Sequence, residues 1–155
     1  MNKPYNWNET WNGYRPVVWD CNNNDKDENG YAYTIVDGIR YSLKEGIATV
    51  ERQPCGISGS IIIPSSITYK SESYSVTSIC YSAFEDCGSL TSIIIPNSVT
   101  SIGTWVFVGC RSLKYINFEG TKAQWKAIEK DGSWDSNTRD YTVHCTDGDL
   151  SKSEC

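Results

Sequence analysis

The sequence predicts a mainly β protein with one short α element. The fold class is a short right-handed solenoid whose coils stack a parallel strand ladder at a 23-residue repeat. An N-terminal antiparallel β-hairpin cap precedes the ladder and a C-terminal helix-plus-strand cap follows it. Three observations carry this expectation. Residues 80–95 read CYSAFEDCGSLTSIII and residues 103–118 read GTWVFVGCRSLKYINF, which places Phe84 over Phe107, Cys87 over Cys110, Ser89 over Ser112, Leu90 over Leu113 and Ile93 over Ile116. An Ile-Pro-x-Ser-x-Thr stretch recurs at residues 63–68 and 95–100. Within a unit, Ile93-x-Ile95 alternates as a strand does, Pro96 lacks the N–H that would continue a ladder, and the apolar residues after it fall three apart. Units this short cannot bury an apolar face alone, so they are stable only when stacked, with strands about 4.8 Å apart and like residues in columns.

The elements follow in chain order. Residues 1–30 form a polar tail or linker. Within it Trp11 to Cys21 (WNGYRPVVWDC) resembles Trp134 to Cys145 (WDSNTRDYTVHC), which suggests the end of a preceding array and hence a fragment of a longer protein. Residues 31–58 are the hairpin cap: residues 31–50 alternate well, and Asp37-Gly38 and Glu45-Gly46 are turn signals for two or three antiparallel strands. Residues 59–118 are the repeats. Their first unit carries nine extra residues around 69–74, alternating polar and aromatic, which suit a small hairpin. The columns predict a core of Ile61, Ile63, Ile79, Phe84, Cys87, Leu90, Ile93, Ile95, Val99, Ile102, Phe107, Cys110, Leu113, Ile116 and Phe118. Residues 119–149 are the closing cap. Thr121-Lys122-Ala123-Gln124 is a capping box opening a short helix, with Trp125 and Ile128 on one face, Lys130 in its last turn and Gly132 as its stop. Residues 141–145 are a final strand, and residues 150–155 a polar tail.

The pattern Leu90-x-x-Ile93-x-Ile95-Pro96-x-x-Val99-x-x-Ile102-Gly103-x-x-x-Phe107-x-x-Cys110-x-Ser112-Leu113 resembles the BspA-type leucine-rich repeat of bacterial surface proteins. The likeness covers residues 59–118, and the segment from Gly120 to Gly148 resembles the closing segment of such arrays. The departures are Cys80 where the next unit has Gly103, Val106 where Ala is usual, and Asn117 where a branched residue or Thr is usual. The resemblance implies an extracellular recognition or adhesion role, a host or bacterial surface protein or glycan as partner, and no catalytic residues.

A net charge of −5 opposes a nucleic-acid partner, whose phosphates demand clustered Lys and Arg. No apolar run reaches membrane-spanning length, and the first residues lack a signal-peptide core. Among seven cysteines no pair has the C-x-x-C spacing of a zinc site, and Cys87 and Cys110 share a core column, where a thiol behaves as a small hydrophobe. Cys155 is the thiol expected to stand alone. His144 and Cys145 are sequence neighbours, but adjacent strand residues point to opposite faces, so they cannot pair as base and nucleophile. No cofactor is expected. A calcium loop is half written: Asp25, Asp27 and Asn29 alternate before Gly30, yet the twelfth position is Val36 rather than Glu.

Between the buried columns, Ser60, Ile62, Ser92, Ile94, Tyr115 and Asn117 should face outward from the strands. An exposed stripe of Ile62 on Ile94 is what water disfavours and a partner would cover, so these six residues are the candidate ligand-binding set. Covering of the stripe by the N-terminal hairpin or by a neighbouring array is the structural alternative. A spacer within a longer surface protein and a carbohydrate-binding module, the latter resting on Trp and Tyr content, are the competing functions.

Overall fold

The first two coils turn because their strands end just before Pro64 and Pro96 and are followed by inward-pointing apolar residues rather than by a helix-forming run. The computed structural model describes residues 31–54 and 56–155. The chain begins with β1 (Ala32–Val36), β2 (Ile39–Lys44) and β3 (Ile47–Val50), each antiparallel to the one before. Next come β4 (Ser58–Ile62), β5 (Ser66–Tyr69) and β6 (Glu72–Ile79), followed by β7 (Ser89–Ile95), β8 (Ser101–Ile102) and β9 (Tyr115–Phe118). Helix α1 (Lys122–Ala127), β10 (Glu129–Lys130), β11 (Thr142–Cys145) and β12 (Gly148–Ser151) close the fold.

The strands form two sheets, which the core fills between. One has the order β12-β11-β9-β7-β4, parallel throughout except at β12. Its central column is Ile61, Ile93, Ile116 and Val143, in direct register. The other sheet has the order β1-β2-β3-β6-β8-β10, with β5 also pairing β6. Here Val50, Ile79 and Ile102 stand side by side. The sequence anticipates the first ladder but not the second, because two-residue strands such as β8 and β10 carry no visible alternation. Strand β3 belongs both to the hairpin cap and to this second ladder, where it is parallel to β6.

The third side of every coil is a pair of tight turns, over residues 81–86 and again over 104–109, and these stack backbone on backbone. The N–H groups of Ser82, Phe84 and Asp86 donate to the carbonyls of Thr104, Val106 and Val108. Phe84 lies flat on Phe107, with ring centroids 5.6 Å apart and planes within 7°. Phe107 meets Trp134 edge-on at 5.9 Å. The predicted core is buried except at Ile61, which is only partly covered because β4 is the last strand of its sheet and has a neighbour on one side.

Two cap elements differ from expectation. Helix α1 has its capping box, with Thr121 Oγ1 accepting from the Gln124 N–H and Gln124 Oε1 from the Thr121 N–H, but it ends at Ala127. Lys130 lies in β10, not in the helix, because Ile128 turns into the core and Glu129–Lys130 extend the second ladder against Ser101–Ile102. Pairing with an existing strand outweighs one more helical turn. The second difference is β12, which folds Leu150 into the core and ends the first sheet with an antiparallel strand.

The extra residues of the first unit form the β5–β6 hairpin. Its turn places Lys70 at φ 49° and Ser71 at φ 67°, a left-handed pair of the kind Asn-Gly adopts without strain. Replacing Lys70-Ser71 by Asn-Gly should raise stability by about 1 kcal/mol, since each non-glycine residue held there is strained by a comparable amount. A rise in denaturation midpoint with an unchanged urea m-value would show it.

Candidate functional site

The outer face of the five-stranded sheet assembles the six candidate residues. Register places them in two rows running across the strands. One row is Ser60, Ser92 and Tyr115, and the other is Ile62, Ile94 and Asn117. Both rows run on into β11, through Thr142 and His144, and from there into β12, through Ser151 and Asp149. The alternation that buries Ile93, Ile116 and Val143 and partly covers Ile61 leaves these neighbours outside, as strand geometry requires.

The rows differ in chemistry. The first is hydroxyl-rich and carries no Asp, Glu, Lys, Arg or His side chain. The second begins apolar and ends polar: Ile62 is 62% exposed, Ile94 is half-buried beside it, and Asn117, His144 and Asp149 follow. Asn117 Nδ2 donates to Ser92 Oγ at 3.1 Å and ties the rows together. The Tyr115 ring stacks on the His144 imidazole, with centroids 5.3 Å apart and planes 27° from parallel. Asp149 Oδ1 lies 2.8 Å from His144 Nδ1 and fixes the imidazole's orientation. The face is therefore held by backbone pairing, apolar at one end and aromatic-polar at the other. Sequence reasoning missed Thr142, His144 and Asp149 because it read residues 141–145 as a closing strand without placing that strand in register with β9. The alternation Tyr141, Val143 inward and Thr142, His144 outward was the available signal.

His144 and Cys145 occupy successive positions of β11, and the ring nitrogen nearest a partner is engaged by Asp149. The candidate calcium residues Asp25, Asp27 and Asn29 lie outside the described residues. Among the described residues, no three His, Cys, Asp or Glu side chains converge as a metal site requires, and no helix is long and apolar enough to cross a membrane.

A second concave region lies at the closing end, lined by Lys126, Lys130, Trp134, Asp135 and Lys152 among others. Three of its charges, Lys130, Asp135 and Lys152, are committed to the fold. Lys130 Nζ donates to the Trp125 carbonyl and stands 4.7 Å above the Trp125 ring, and burial lowers its pKa. Lys152 Nζ donates to the carbonyl and hydroxyl of Thr138, and the Tyr141 hydroxyl donates to Asp135 at 2.8 Å. The hollow reads as an end cap.

Cys80, Cys110, Cys145 and Cys155 are free thiols. Cys87 and Cys110 are fully enclosed, and Cys110 Sγ donates to the Phe84 carbonyl at 3.1 Å. Burial, with Cys87 beside it, pushes the Cys110 thiol up to about 12. At pH 8 roughly one Cys110 in ten thousand would then be thiolate, the form that reacts. Brief alkylation of the native protein at that pH should mark exposed Cys155 and leave Cys87 and Cys110 unmodified until denaturant is added, as mapped by peptide mass spectrometry. Rapid native labelling of Cys110 would contradict this packing.

Comparison with known proteins agrees with the geometry. Residues 60–131 match the BspA type leucine rich repeat region in six copies. The fold is similar to that of a leucine rich cell surface protein from Faecalibacterium prausnitzii, at 21% identity and a TM-score of 0.54, over 74% of this chain and 32% of that one. It is also similar to a leucine-rich repeat protein from Bacteroides capillosus, at 26% identity and a TM-score of 0.53, over 73% of this chain and 97% of that one. The chain thus spans about a third of the former's length and nearly all of the latter's. None of the curated proteins matches it.

Proposed function

We propose that this chain is a non-catalytic recognition module of a bacterial cell-surface protein, taking a protein or glycan surface on the outer face of its five-stranded sheet. The observation that carries the reading is Ile62, 62% exposed on a paired strand with Ile94 beside it, at one end of a face whose other end stacks Tyr115 on His144. Isolated exposed aliphatics are ordinary, but a column of them continuous with an aromatic pair is the composition of a contact surface. The surface location of the Faecalibacterium protein and the family of the repeat array support display outside the cell. The likeness between Trp11–Cys21 and Trp134–Cys145 favours a spacer instead, a reading that expects no ligand at all.

Ile62→Lys and Tyr115→Ala, each on the exposed face and outside the core, separate these readings once both are shown to keep the parent's dichroism spectrum. Fluorescently labelled protein is applied to epithelial cells, to bacteria and to a glycan array. Recognition through this face predicts a loss of at least about tenfold in affinity for both variants, the size expected of interface anchors. Binding that both variants retain, or no binding by the unaltered protein, overturns it. Antibody labelling of intact against permeabilised bacteria expressing the full-length protein tests display.

A further inference from the structure

Every coil of the array gives one strand to each sheet: β4 and β6, β7 and β8, β9 and β10. The opening end departs from this rule. In the second sheet β3 lies beside β6 and carries the ladder on, whereas among the described residues no strand lies beside β4 in the first, which pairs with β7 alone.

The open edge has a definite chemistry. The Ile63 N–H donates to the Ile94 carbonyl, and successive strand residues aim their backbone groups to opposite sides, so the N–H and C=O of Ser60 and Ile62 point away from β7. On the inner face Ile61 is only partly covered, while Ile93, Ile116 and Val143 of the same column are buried. Sheet edges are commonly protected by charge, yet residues 53–69 include no Asp, Glu, Lys, Arg or His. Backbone groups without a strand partner, beside a half-covered isoleucine and no charge, are matched by an extended segment that carries an inward apolar side chain.

The far end of the same sheet shows such a segment in place. There β11 lies parallel to β9, with Tyr141 and Val143 buried and Thr142 and His144 outward. Counted back from the cysteine that ends each stretch, Val17, Val18, Trp19 and Asp20 correspond to Tyr141, Thr142, Val143 and His144, so apolar residues recur at both inward places. Residues 17–21 lie outside the described residues, and the chain that follows them is long enough to join the two sheets. Five residues, 96–100, carry β7 to β8, and β1 stands two strand spacings beyond β3, about 10 Å or roughly three residues more. Ten residues, 22–31, join Cys21 to Ala32.

We propose that the open edge of β4 is the docking surface for residues 17–21 of this chain, added as a parallel strand with Val18 beside Ser60, Trp19 beside Ile61 and Asp20 beside Ile62. The added strand closes the sheet at the edge that no charge protects, and the Trp19 ring finishes the Ile61 column. This contact goes beyond the strand-face reading and does not depend on it.

The test follows backbone amide exchange in the full 15N-labelled chain, at a concentration where sedimentation gives the monomer mass. The Ser60 and Ile62 amides should exchange at least about a hundredfold more slowly than in an unstructured peptide. In the same sample the Trp19 ring should show nuclear Overhauser contacts to the Ile61 methyl groups, a readout that needs no variant. Trp19→Asp should bring both amides to within about tenfold of the unprotected rate while Ile93 and Ile116 stay protected, and Trp7→Asp should change neither. Fast exchange of both amides in the parent chain, no contact between Trp19 and Ile61, protection that survives Trp19→Asp, or protection that arises only where the mass doubles overturns the proposal.

Discussion

Phe107→Ala should destabilise the protein by about 3–5 kcal/mol, the range for emptying a fully buried aromatic site. Phe107 is wholly buried, flat against Phe84 on one side and edge-on to Trp134 on the other. Its loss therefore opens a cavity between two coils rather than at the end of a stack. The coil cannot collapse to fill it, because the backbone bonds from Phe84 N–H to Val106 O and from Phe107 N–H to Trp134 O fix the spacing on both sides. Since domains of this size hold only about 5–15 kcal/mol of stability, the variant should lose roughly 10 °C or more in midpoint. A midpoint within about 2 °C of the parent protein would show that the column does not hold the coils together.

Gly103→Val should be comparably damaging, for a different reason. The added Cβ would lie 2.8 Å from the Tyr81 nitrogen and 3.1 Å from the Cys80 carbonyl carbon, both backbone atoms that no rotamer change can clear. The two turns must separate, which weakens the stacked hydrogen bonds around Ser82 and Thr104. Overpacking of this sort costs about 1–3 kcal/mol and here acts on backbone, so the upper end is expected. Gly88→Ala is the control. Its Cβ would meet nothing nearer than the Gly109 carbonyl oxygen at 3.9 Å, and its effect should lie within about 0.5 kcal/mol of zero. Equal losses in the two variants would refute a role for close coil approach.

The first ladder was legible because its residues repeat themselves: Leu90 and Leu113, or Ile93 and Ile116, announce their column by identity. The last coil was not legible, although it is built on the same plan. The Thr138 N–H donates to the Asp135 carbonyl as the Cys110 N–H donates to that of Phe107, so Asp135 stands in the Phe place and Thr138 in the Cys place. Trp134, one residue earlier, supplies the buried ring instead, and α1 lengthens the path from β9 to β10. Shape replaced identity, and a period search cannot see that. The same holds for the candidate face. Ser60, Ile62, Ser92, Ile94, Tyr115 and Asn117 could be read from alternation, whereas His144 and Asp149 join them only through the register of β11 and β12.

The rings also give the molecule its own optical reporter. Trp125 and Trp134 are buried 5.9 Å apart in the closing coil, with Phe118 and Tyr141 against them, while Trp105 is half in water one coil away. With the other four tryptophans replaced by Phe, emission from the buried pair senses the closing end alone, whereas far-ultraviolet dichroism averages over all strands. Superimposable melting curves from the two signals would mean that the coils let go together; an earlier red shift in emission would mean that the stack peels from its closing end.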